Sequence, residues 1–404
     1  MTFLSPYYRR LARMAFRDPL KIPTMLRLRL SKTDEWTRDF SGGPVRVSPP
    51  LIVSLRLNYG CNLRCVMCNQ WGDQGLFAKD PGKIVRREMT TEDWKALIDE
   101  IAPFRPYVTF IGGEPLLNDD LAELVRHASS RHLITSMTTN ATFLKQKAEA
   151  LVAAGLDYVH LSLDSPAPAS ADAVRKDLQG EDSQREAVEG VRRLLDVRDR
   201  LGVGLPIVQI QTVLVQENHR ALWDMARFME DDLRPDVWSL QLCVFTTPEL
   251  DAATTKVYRR FFAQGQSGWS GFVRTFDGMD FEEVRRQMSR ILASRWSFRL
   301  RVYKPVGMRG FSFERYYTQP TAATSDEKLS CMHPYVFAQV QPNGDMVFCG
   351  EQPDYRIGNV RQERFLDLWS NLRATQWRAF LQKRLFPACK RCYALHELDH
   401  FARK

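Results

Sequence analysis

Six apolar runs of strand length recur along the central part of the chain, and segments with helical periodicity separate them. The runs are residues 51–57, 107–112, 133–139, 158–164, 207–215 and 237–245. Thr91 and Asn118 stand where two helices would begin, and Gly155 and Gly202 stand where helices would end. This alternation predicts an α/β fold with a parallel sheet, either open or curved into a partial barrel of βα units. Ligands of such folds bind at the carboxyl ends of the strands.

Changes in this rhythm divide the chain into four regions. Residues 1–48 form a basic N-terminal extension that ends before the pair Pro49–Pro50, and residues 49–246 hold the βα units. Residues 247–326 form an aromatic-rich bridging or capping region, and residues 327–404 form a separate cysteine-bearing unit. Arginines alternate with apolar residues in 1–31, which suits a basic amphipathic helix. A solvated helix packed on the main domain is the simpler interpretation.

Composition narrows the class of protein. The chain has 404 residues, of which 44% are hydrophobic and 26% charged, as is ordinary for a globular protein. It has no apolar run long enough to span a bilayer and no secretory signal pattern, so we expect a cytoplasmic location without a membrane span. The net charge of +9 would suit nucleic acid, anionic lipid or an acidic protein. Since no nucleic-acid-binding signature is present, we expect no nucleic-acid partner.

The first candidate site is the three-cysteine loop that follows the first strand. Cys61, Cys65 and Cys68 have the spacing CxxxCxxC, and three thiolates leave one coordination position open. On a [4Fe-4S] cluster this position is an iron atom free to bind a small molecule. A zinc site completed by a distant residue, or three core cysteines, would have the same spacing.

The next strand ends in a second motif, Gly112-Gly113-Glu114-Pro115. The two glycines let the backbone approach a ligand closely, and Glu114 can accept a hydrogen bond from an amine. Together with the three-cysteine loop, this motif resembles the radical S-adenosylmethionine (SAM) superfamily, whose GGEP motif contacts the SAM amino group. The resemblance implies that a [4Fe-4S] cluster cleaves SAM to a 5′-deoxyadenosyl radical, which abstracts hydrogen from a substrate. Met67 departs from the family, which often has an aromatic residue there.

Weaker matches to the same family follow the later strands. The resemblance implies polar contacts with SAM for Asn140, Ser162 and Asp164, and a contact with the SAM carboxylate for Arg175. Each of these residues would also serve as a helix cap or a turn former.

The second candidate site lies near the end of the chain. Cys331 and Cys349 flank a hairpin-like segment, and Cys389 and Cys392 form a C-x2-C pair, a spacing that fits zinc as well as iron–sulfur. The segment resembles the SPASM/twitch extension of radical SAM enzymes, whose full form has seven cysteines. Four cysteines imply one auxiliary [4Fe-4S] cluster with all its ligands. The expected architecture is a partial (β/α)6 radical SAM barrel with a small C-terminal SPASM/twitch-like iron–sulfur domain.

The eighth cysteine, Cys243, lies near the end of the sixth strand. It is either a small buried residue or a hydrogen-atom donor, as in some radical SAM epimerases.

The sequence leaves three hypotheses for the function of the protein: an oxidoreductase whose auxiliary cluster accepts the substrate electron in oxidation or bond formation, an epimerase that uses Cys243, and a non-catalytic metal-binding or electron-transfer protein. The resemblance implies a ferredoxin or flavodoxin as electron donor and a small-molecule or peptide substrate. Because residues 1–48 look too short for a winged-helix leader-binding domain, a small-molecule or leader-independent substrate is favoured.

Overall fold

A ten-stranded, mostly parallel sheet forms the core of the protein, whose computed structural model describes residues 6–34, 47–79, 88–167, 173–177, 182–262, 268–303, 312–320 and 331–392. Within these ranges the strands are β1 (Ile52–Arg56), β2 (Leu63–Cys65), β3 (Tyr107–Ile111), β4 (Ile134–Thr139), β5 (Tyr158–Ser162), β6 (Arg175–Asp177), β7 (Ile207–Leu214), β8 (Val237–Leu242), β9 (Arg299–Val302), β10 (Phe337–Val340), β11 (Asp345–Val347) and β12 (Gly358–Asn359). The main sheet has the order β12-β11-β10-β1-β3-β4-β5-β7-β8-β9, and β2 pairs with β6 separately.

All six apolar runs form strands of this sheet, as their pattern predicts. They are β1, β3, β4, β5, β7 and β8, and each pairs in parallel with the next. Their carboxyl ends therefore lie along one edge, where the motifs meet. The α/β fold with a predominantly parallel sheet is confirmed; the described strands form an open sheet.

Helices cover the sheet between the strands. They are α1 (Pro6–Arg17), α2 (Ile22–Asp34), α3 (Leu76–Lys79), α4 (Thr91–Ile101), α5 (Leu121–Ser130), α6 (Leu144–Ala154), α7 (Ser183–Arg200), α8 (Leu222–Phe228), α9 (Pro248–Phe262), α10 (Phe281–Ala293), α11 (Phe313–Thr318), α12 (His333–Val336), α13 (Phe365–Ser370) and α14 (Leu372–Lys383). Among the residues with an assigned structure, none of these helices is long and apolar enough to cross a membrane.

Local sequence explains where the helices begin and end. Thr90, one residue before the expected cap, forms a capping box with Asp93 at the start of α4. Helix α5 follows Asp120, and Asn118, the expected cap, lies in the preceding turn, where its side chain accepts the Asp120 N–H. Gly155 ends α6 with a φ of 88°, a left-handed conformation that favours glycine.

Strands from outside the six βα units extend the sheet at both edges. β10, from the cysteine-bearing C-terminal unit, pairs in parallel with β1. It turns at Gly344, with a φ of 88°, into the antiparallel β11. β9, from the bridging region, pairs with β8 at the opposite edge. The C-terminal unit, which holds Cys331 and Cys349 on either side of this hairpin, therefore lies directly beside the strand that leads to the first three cysteines.

The N-terminal helices pack at the amino ends of the strands, away from the motifs. Lys21 donates to both oxygens of Asp157, at 2.8 and 2.6 Å, just before β5. Arg10 pairs with Asp236 just before β8, and the Thr24 hydroxyl donates to the Arg105 carbonyl just before β3. These contacts attach α1, α2 and the turn between them to the sheet, and removal of Lys21 would leave the Asp157 charge buried without its partner.

Candidate active site

The three-cysteine loop leaves β1 at the carboxyl edge of the sheet and is held in place by its own backbone. Cys65 lies on β2, which pairs with β6. Gly72 closes the loop by donating its N–H to the Cys68 carbonyl at 3.0 Å. A Cβ atom at Gly72 would lie 2.6 Å from that oxygen and 2.8 Å from the Cys65 carbonyl, so this tight wrap requires glycine.

Each of the three sulfur atoms accepts an N–H hydrogen bond. The Leu63 amide donates to Cys61 Sγ, the Trp71 amide to Cys68 Sγ and the Arg175 guanidinium to Cys65 Sγ, each at 3.4 Å. Such donors stabilise thiolates and are typical of the surroundings of iron–sulfur ligands.

This donor set fits a [4Fe-4S] cluster with one open iron. Burial raises the pKa of Cys61 to about 12 and that of Cys65 to about 11, so the thiolate forms require a bound cationic centre in addition to the N–H donors. Among the described residues, no group of three His, Cys, Asp or Glu side chains is arranged around a single metal ion. In a [4Fe-4S] cluster each thiolate binds a different iron.

Backbone hydrogen bonds join the Gly-Gly-Glu-Pro motif to the start of the cysteine loop. Gly113 donates to the Asn58 carbonyl at 3.0 Å, and Glu114 donates to the Gly60 carbonyl at 2.7 Å. A Cβ atom at Gly113 would lie 2.5 Å from the Tyr59 carbonyl oxygen and closer still to that of Gly60. The second glycine is therefore required by the close approach of the two backbones.

The Glu114 carboxylate is buried and already accepts three hydrogen bonds. Its oxygens accept from the Leu116 amide at 2.9 Å, the Thr139 hydroxyl at 2.6 Å and the Asn140 amide at 2.8 Å. Burial raises the pKa of Glu114 to about 7 even though these donors favour the ionised form. The side chain thus ties the end of β3 to the end of β4. Asn140 continues the connection by donating to the Asn62 side chain of the cysteine loop at 2.9 Å.

An ion pair joins the end of β5 to the cysteine loop. Arg175 donates to Asp164 at 2.6 Å while it contacts Cys65, and Asp164 also accepts the Val213 amide at 2.7 Å. Burial disfavours the charged form of Arg175, but the adjacent Asp164 raises the pKa of Arg175 above its usual value. Ser162 lies half-buried at the end of β5, paired with Gln211 of β7. Arg175 therefore faces the cysteine loop and Asp164 in this structure.

The four late cysteines line one cavity. Cys331, Cys349, Cys389 and Cys392 share it with aromatic and aliphatic side chains that include Trp269, Phe348, Trp377 and Phe386. Burial raises the pKa of Cys331 to about 11, and a backbone hydrogen bond from His333 opposes that rise. Four cysteines around a single apolar cavity fit one fully ligated iron–sulfur cluster.

Sequence spacing did not reveal that the two cysteine sites are bridged. Asn69, which follows Cys68, donates to the Glu351 carboxylate at 3.3 Å, and Glu351 lies two residues after Cys349. Burial raises the pKa of Glu351 to about 7. The turn Gly268–Phe272 packs into the same junction, where a Cβ atom at Gly271 would overlap the Asn69 carbonyl. The only feature of the sequence that points to this contact is that Asn69 and Glu351 each lie within two residues of a cysteine.

Cys243 is fully buried just after β8. Its amide donates to the Tyr317 hydroxyl at 3.1 Å, and its carbonyl accepts from the Tyr316 hydroxyl at 3.0 Å. Burial raises the pKa of the Cys243 thiol to about 12, and the neighbouring Arg274 opposes that rise. Arg274, which sequence reasoning did not single out, also contacts Glu217 at 3.5 Å.

Comparison with known families agrees with these two sites. The profile of the radical SAM superfamily matches residues 55–229, which contain the three-cysteine loop and the Gly-Gly-Glu-Pro motif. The profile of the SPASM iron–sulfur cluster-binding domain matches residues 331–393, which contain the four late cysteines.

Curated relatives match at low sequence identity. PqqA peptide cyclase from Xanthomonas axonopodis is 27% identical over 345 residues, which are 81% of this chain and 78% of that protein. A probable GTP 3′,8-cyclase from Thermococcus kodakarensis is 28% identical over 215 residues, which are 53% of this chain and 62% of the cyclase. The chain therefore spans less than two thirds of the latter relative.

Solved structures share the fold. Streptococcus suis SuiB bound to S-adenosylmethionine superimposes with a TM-score of 0.56 at 16% identity, covering 82% of this chain and 68% of SuiB. SuiB bound to the precursor peptide SuiA gives a TM-score of 0.55 at 15% identity, covering 82% of this chain and 67% of SuiB.

Proposed function

Because the chain belongs to the radical SAM superfamily and has a SPASM domain, we propose that this enzyme modifies a peptide. The observation that carries the proposal is the placement of three sulfur atoms, each with its own N–H donor, against the Gly-Gly-Glu-Pro turn. When bound, the cluster and SAM supply the 5′-deoxyadenosyl radical that abstracts hydrogen from the substrate. The protein supplies binding, orientation and exclusion of water.

Each residue has a defined part in this proposal. Cys61, Cys65 and Cys68 hold the cluster, and Glu114 positions the backbone of Gly112 and Gly113 beside it. Since all three hydrogen bonds of the Glu114 carboxylate go to the protein, it serves as a positioning residue, and the glycine backbone provides the surface that the SAM amino group meets.

The remaining predicted SAM contacts divide into two groups. Arg175 and Asp164 orient the Cys65 sulfur through their buried ion pair, which makes them positioning residues as well. Ser162 lies half-buried at the carboxyl edge, where its hydroxyl provides a SAM contact that the motif pattern predicts. The Asn140 side chain is held by Asn62 and Thr142, so Asn140 is a positioning residue like Glu114.

For the reaction type, we propose net oxidation or bond formation. The cavity of Cys331, Cys349, Cys389 and Cys392 holds the acceptor of the substrate electron. The hydrogen bond between Asn69 and Glu351 fixes the first cysteine loop against this cavity, which keeps the distance between the two centres constant. A ferredoxin or flavodoxin as electron donor, and a cytoplasmic location whose reducing conditions keep the cysteines reduced, stay predictions.

A peptide substrate is favoured over a small molecule by the extent of the match to PqqA peptide cyclase, which covers 81% of this chain. The peptide-bound structure of SuiB shows that one protein of this fold accepts a peptide. In this chain, the Arg274 and Glu217 side chains have buried polar atoms without a hydrogen-bond partner among the described residues, and both lie beside Cys243 near the carboxyl edge. Such groups suit recognition of a polar backbone.

Anaerobic reconstitution tests the proposal. Protein loaded with iron and sulfide and given dithionite and SAM is expected to form 5′-deoxyadenosine, and the variant with Cys61, Cys65 and Cys68 replaced by Ala is expected to form none. Cys243→Ala is the matched control, since it removes a cysteine outside both sites. Protein that binds zinc, lacks iron and leaves SAM intact would refute the enzyme assignment. If members of a peptide library lose mass when incubated with the active enzyme, as loss of hydrogen predicts, and small metabolites do not, the result would support a peptide substrate.

Epimerisation is the second candidate, and the buried thiol favours it. Burial raises the pKa of Cys243 to about 12, so the thiol is protonated at neutral pH and beyond, and S–H is the form that a hydrogen-atom donor requires. The epimerase is expected to incorporate one solvent deuterium at one carbon without net oxidation, and Cys243→Ala is expected to abolish that incorporation. Full turnover of Cys243→Ala would exclude this candidate.

A further inference from the structure

The N-terminal helices expose an unusual set of apolar side chains, which we name the N-terminal face: Phe16, Leu20, Ile22, Leu26 and Leu30. Their exposed fractions are 86%, 43%, 37%, 52% and 62%. With Tyr8, they are six of the twelve large exposed apolar residues in the part of the chain that the structure describes. Ile22, Leu26 and Leu30 are four residues apart on α2 and therefore form one stripe.

The positive charges of the same helices divide into two groups. Arg10, Lys21 and Arg27 point inward, where they bind Asp236, Asp157 and the Arg105 carbonyl. Four other arginines are exposed beside the N-terminal face, and no ion pair joins any of them to a described residue: Arg9, Arg13, Arg17 and Arg29. The inward group explains why the helices pack. Arg13 also donates to the Gly202 carbonyl at 3.4 Å, and Arg17 and Leu20 border a cavity beside Asp157, but all nine outward side chains keep a solvent-exposed surface.

The position of this face restricts its partner. The helices contact residues that precede β3, β5 and β8, whereas both cysteine sites lie at the carboxyl edge. A strand of five to eight residues separates the two ends by roughly 16–26 Å. An electron donor docked here would therefore be far from the clusters. Nucleic acid would leave the five apolar side chains without a partner.

We propose that the N-terminal face binds the surface of an anionic lipid bilayer. An amphipathic helix that lies in the plane of the membrane buries apolar side chains at the level of the acyl chains, while neighbouring arginines contact anionic headgroups. Phe16 and the stripe of α2 provide the apolar part, and the four outward arginines provide the charge. This orientation leaves the carboxyl edge facing away from the membrane. The inference does not depend on the proposed reaction.

Vesicle flotation with the full-length, cluster-loaded protein tests this inference. The protein is expected to float with vesicles that contain phosphatidylglycerol but not with pure phosphatidylcholine, and less as salt increases. The combined variant Phe16→Ser, Leu26→Gln and Leu30→Gln is expected to lower the partition coefficient by at least about tenfold. Its matched control, Leu292→Gln with Leu372→Gln, replaces leucines that are 62% and 72% exposed elsewhere and should bind like the wild type.

Charge variants provide a second test. Replacing Arg9, Arg13, Arg17 and Arg29 by Gln is expected to weaken binding to anionic vesicles by roughly a thousandfold and to remove most of its salt dependence. All seven replaced side chains are exposed, so the unfolding midpoint should not change. Absence of binding to anionic vesicles, equal binding to phosphatidylcholine, or equal loss in the leucine control would overturn the inference. So would self-association or RNA binding through this face without vesicle binding.

Discussion

The backbone at Gly113 lies very close to the cysteine loop, and Gly113→Ala tests whether the glycine motif must touch that loop. The new Cβ atom would lie 2.5 Å from the Tyr59 carbonyl oxygen and closer to that of Gly60. Since ordinary carbon–oxygen contacts are longer, the two backbones must separate by roughly 1 Å. The overlap should cost about 1–3 kcal/mol of folding stability. It also stretches the hydrogen bond from Glu114 to the Gly60 carbonyl, now 2.7 Å.

The effect on catalysis should exceed the effect on stability, because a misplacement of about 1 Å lowers a rate by on the order of a hundredfold. We expect Gly113→Ala to retain its iron and to form 5′-deoxyadenosine about a hundredfold more slowly. Gly60→Ala is the matched control in the same loop, since its Cβ atom would have its nearest neighbour, Leu117 Cδ1, at 3.8 Å. Unimpaired SAM cleavage by Gly113→Ala, or equal damage by Gly60→Ala, would refute this reasoning.

Three further predictions concern other parts of the structure. Lys21→Met leaves Asp157 buried without its partner and should lower the free energy of unfolding in urea by about 3–5 kcal/mol. The control, Lys147→Met, removes an exposed ion pair and should change that free energy by less than about 1 kcal/mol. Equal effects of the two substitutions would contradict the packing of α2. Cys349→Ala should remove the second cluster from the iron analysis and the electron paramagnetic resonance spectrum but leave SAM cleavage intact, and loss of both clusters would contradict two separate sites. Arg175→Lys cannot reach Asp164 and Cys65 together, so the reduction potential of the first cluster should fall, and an unchanged potential would exclude the positioning role.

Some elements of the fold could be predicted from local sequence, and the pairing of distant strands could not. The six strands and the cap at Gly155 follow from apolar runs and from the conformational freedom of glycine, which act over a few residues. The pairing of β10 with β1 joins residues 337–340 to 52–55. An apolar run carries no information about which distant strand it pairs with, so the attachment of the C-terminal unit to the main sheet could not be predicted.

The same division holds at the site. The seven cysteines of the two candidate sites could be singled out from sequence because they lie within a short loop or follow a family spacing. Sequence predicts that Glu114 accepts a hydrogen bond from an amine of the ligand. In the structure, its carboxylate instead accepts from Thr139 and Asn140 at the end of another strand. The contact between Asn69 and Glu351 spans 282 positions and exists only because β10 lies beside β1.

By itself, the amino-acid sequence determined which strands form and which cysteines and glycines make up the two candidate sites. Those properties depend on side-chain type and on neighbours a few residues away. Only the tertiary structure decided how the two cysteine sites are bridged, which basic side chains of the N-terminal helices pair with buried carboxylates and which side chains remain exposed as the N-terminal face. These properties depend on which surfaces the folded chain brings together, and that is determined by packing between residues far apart in sequence.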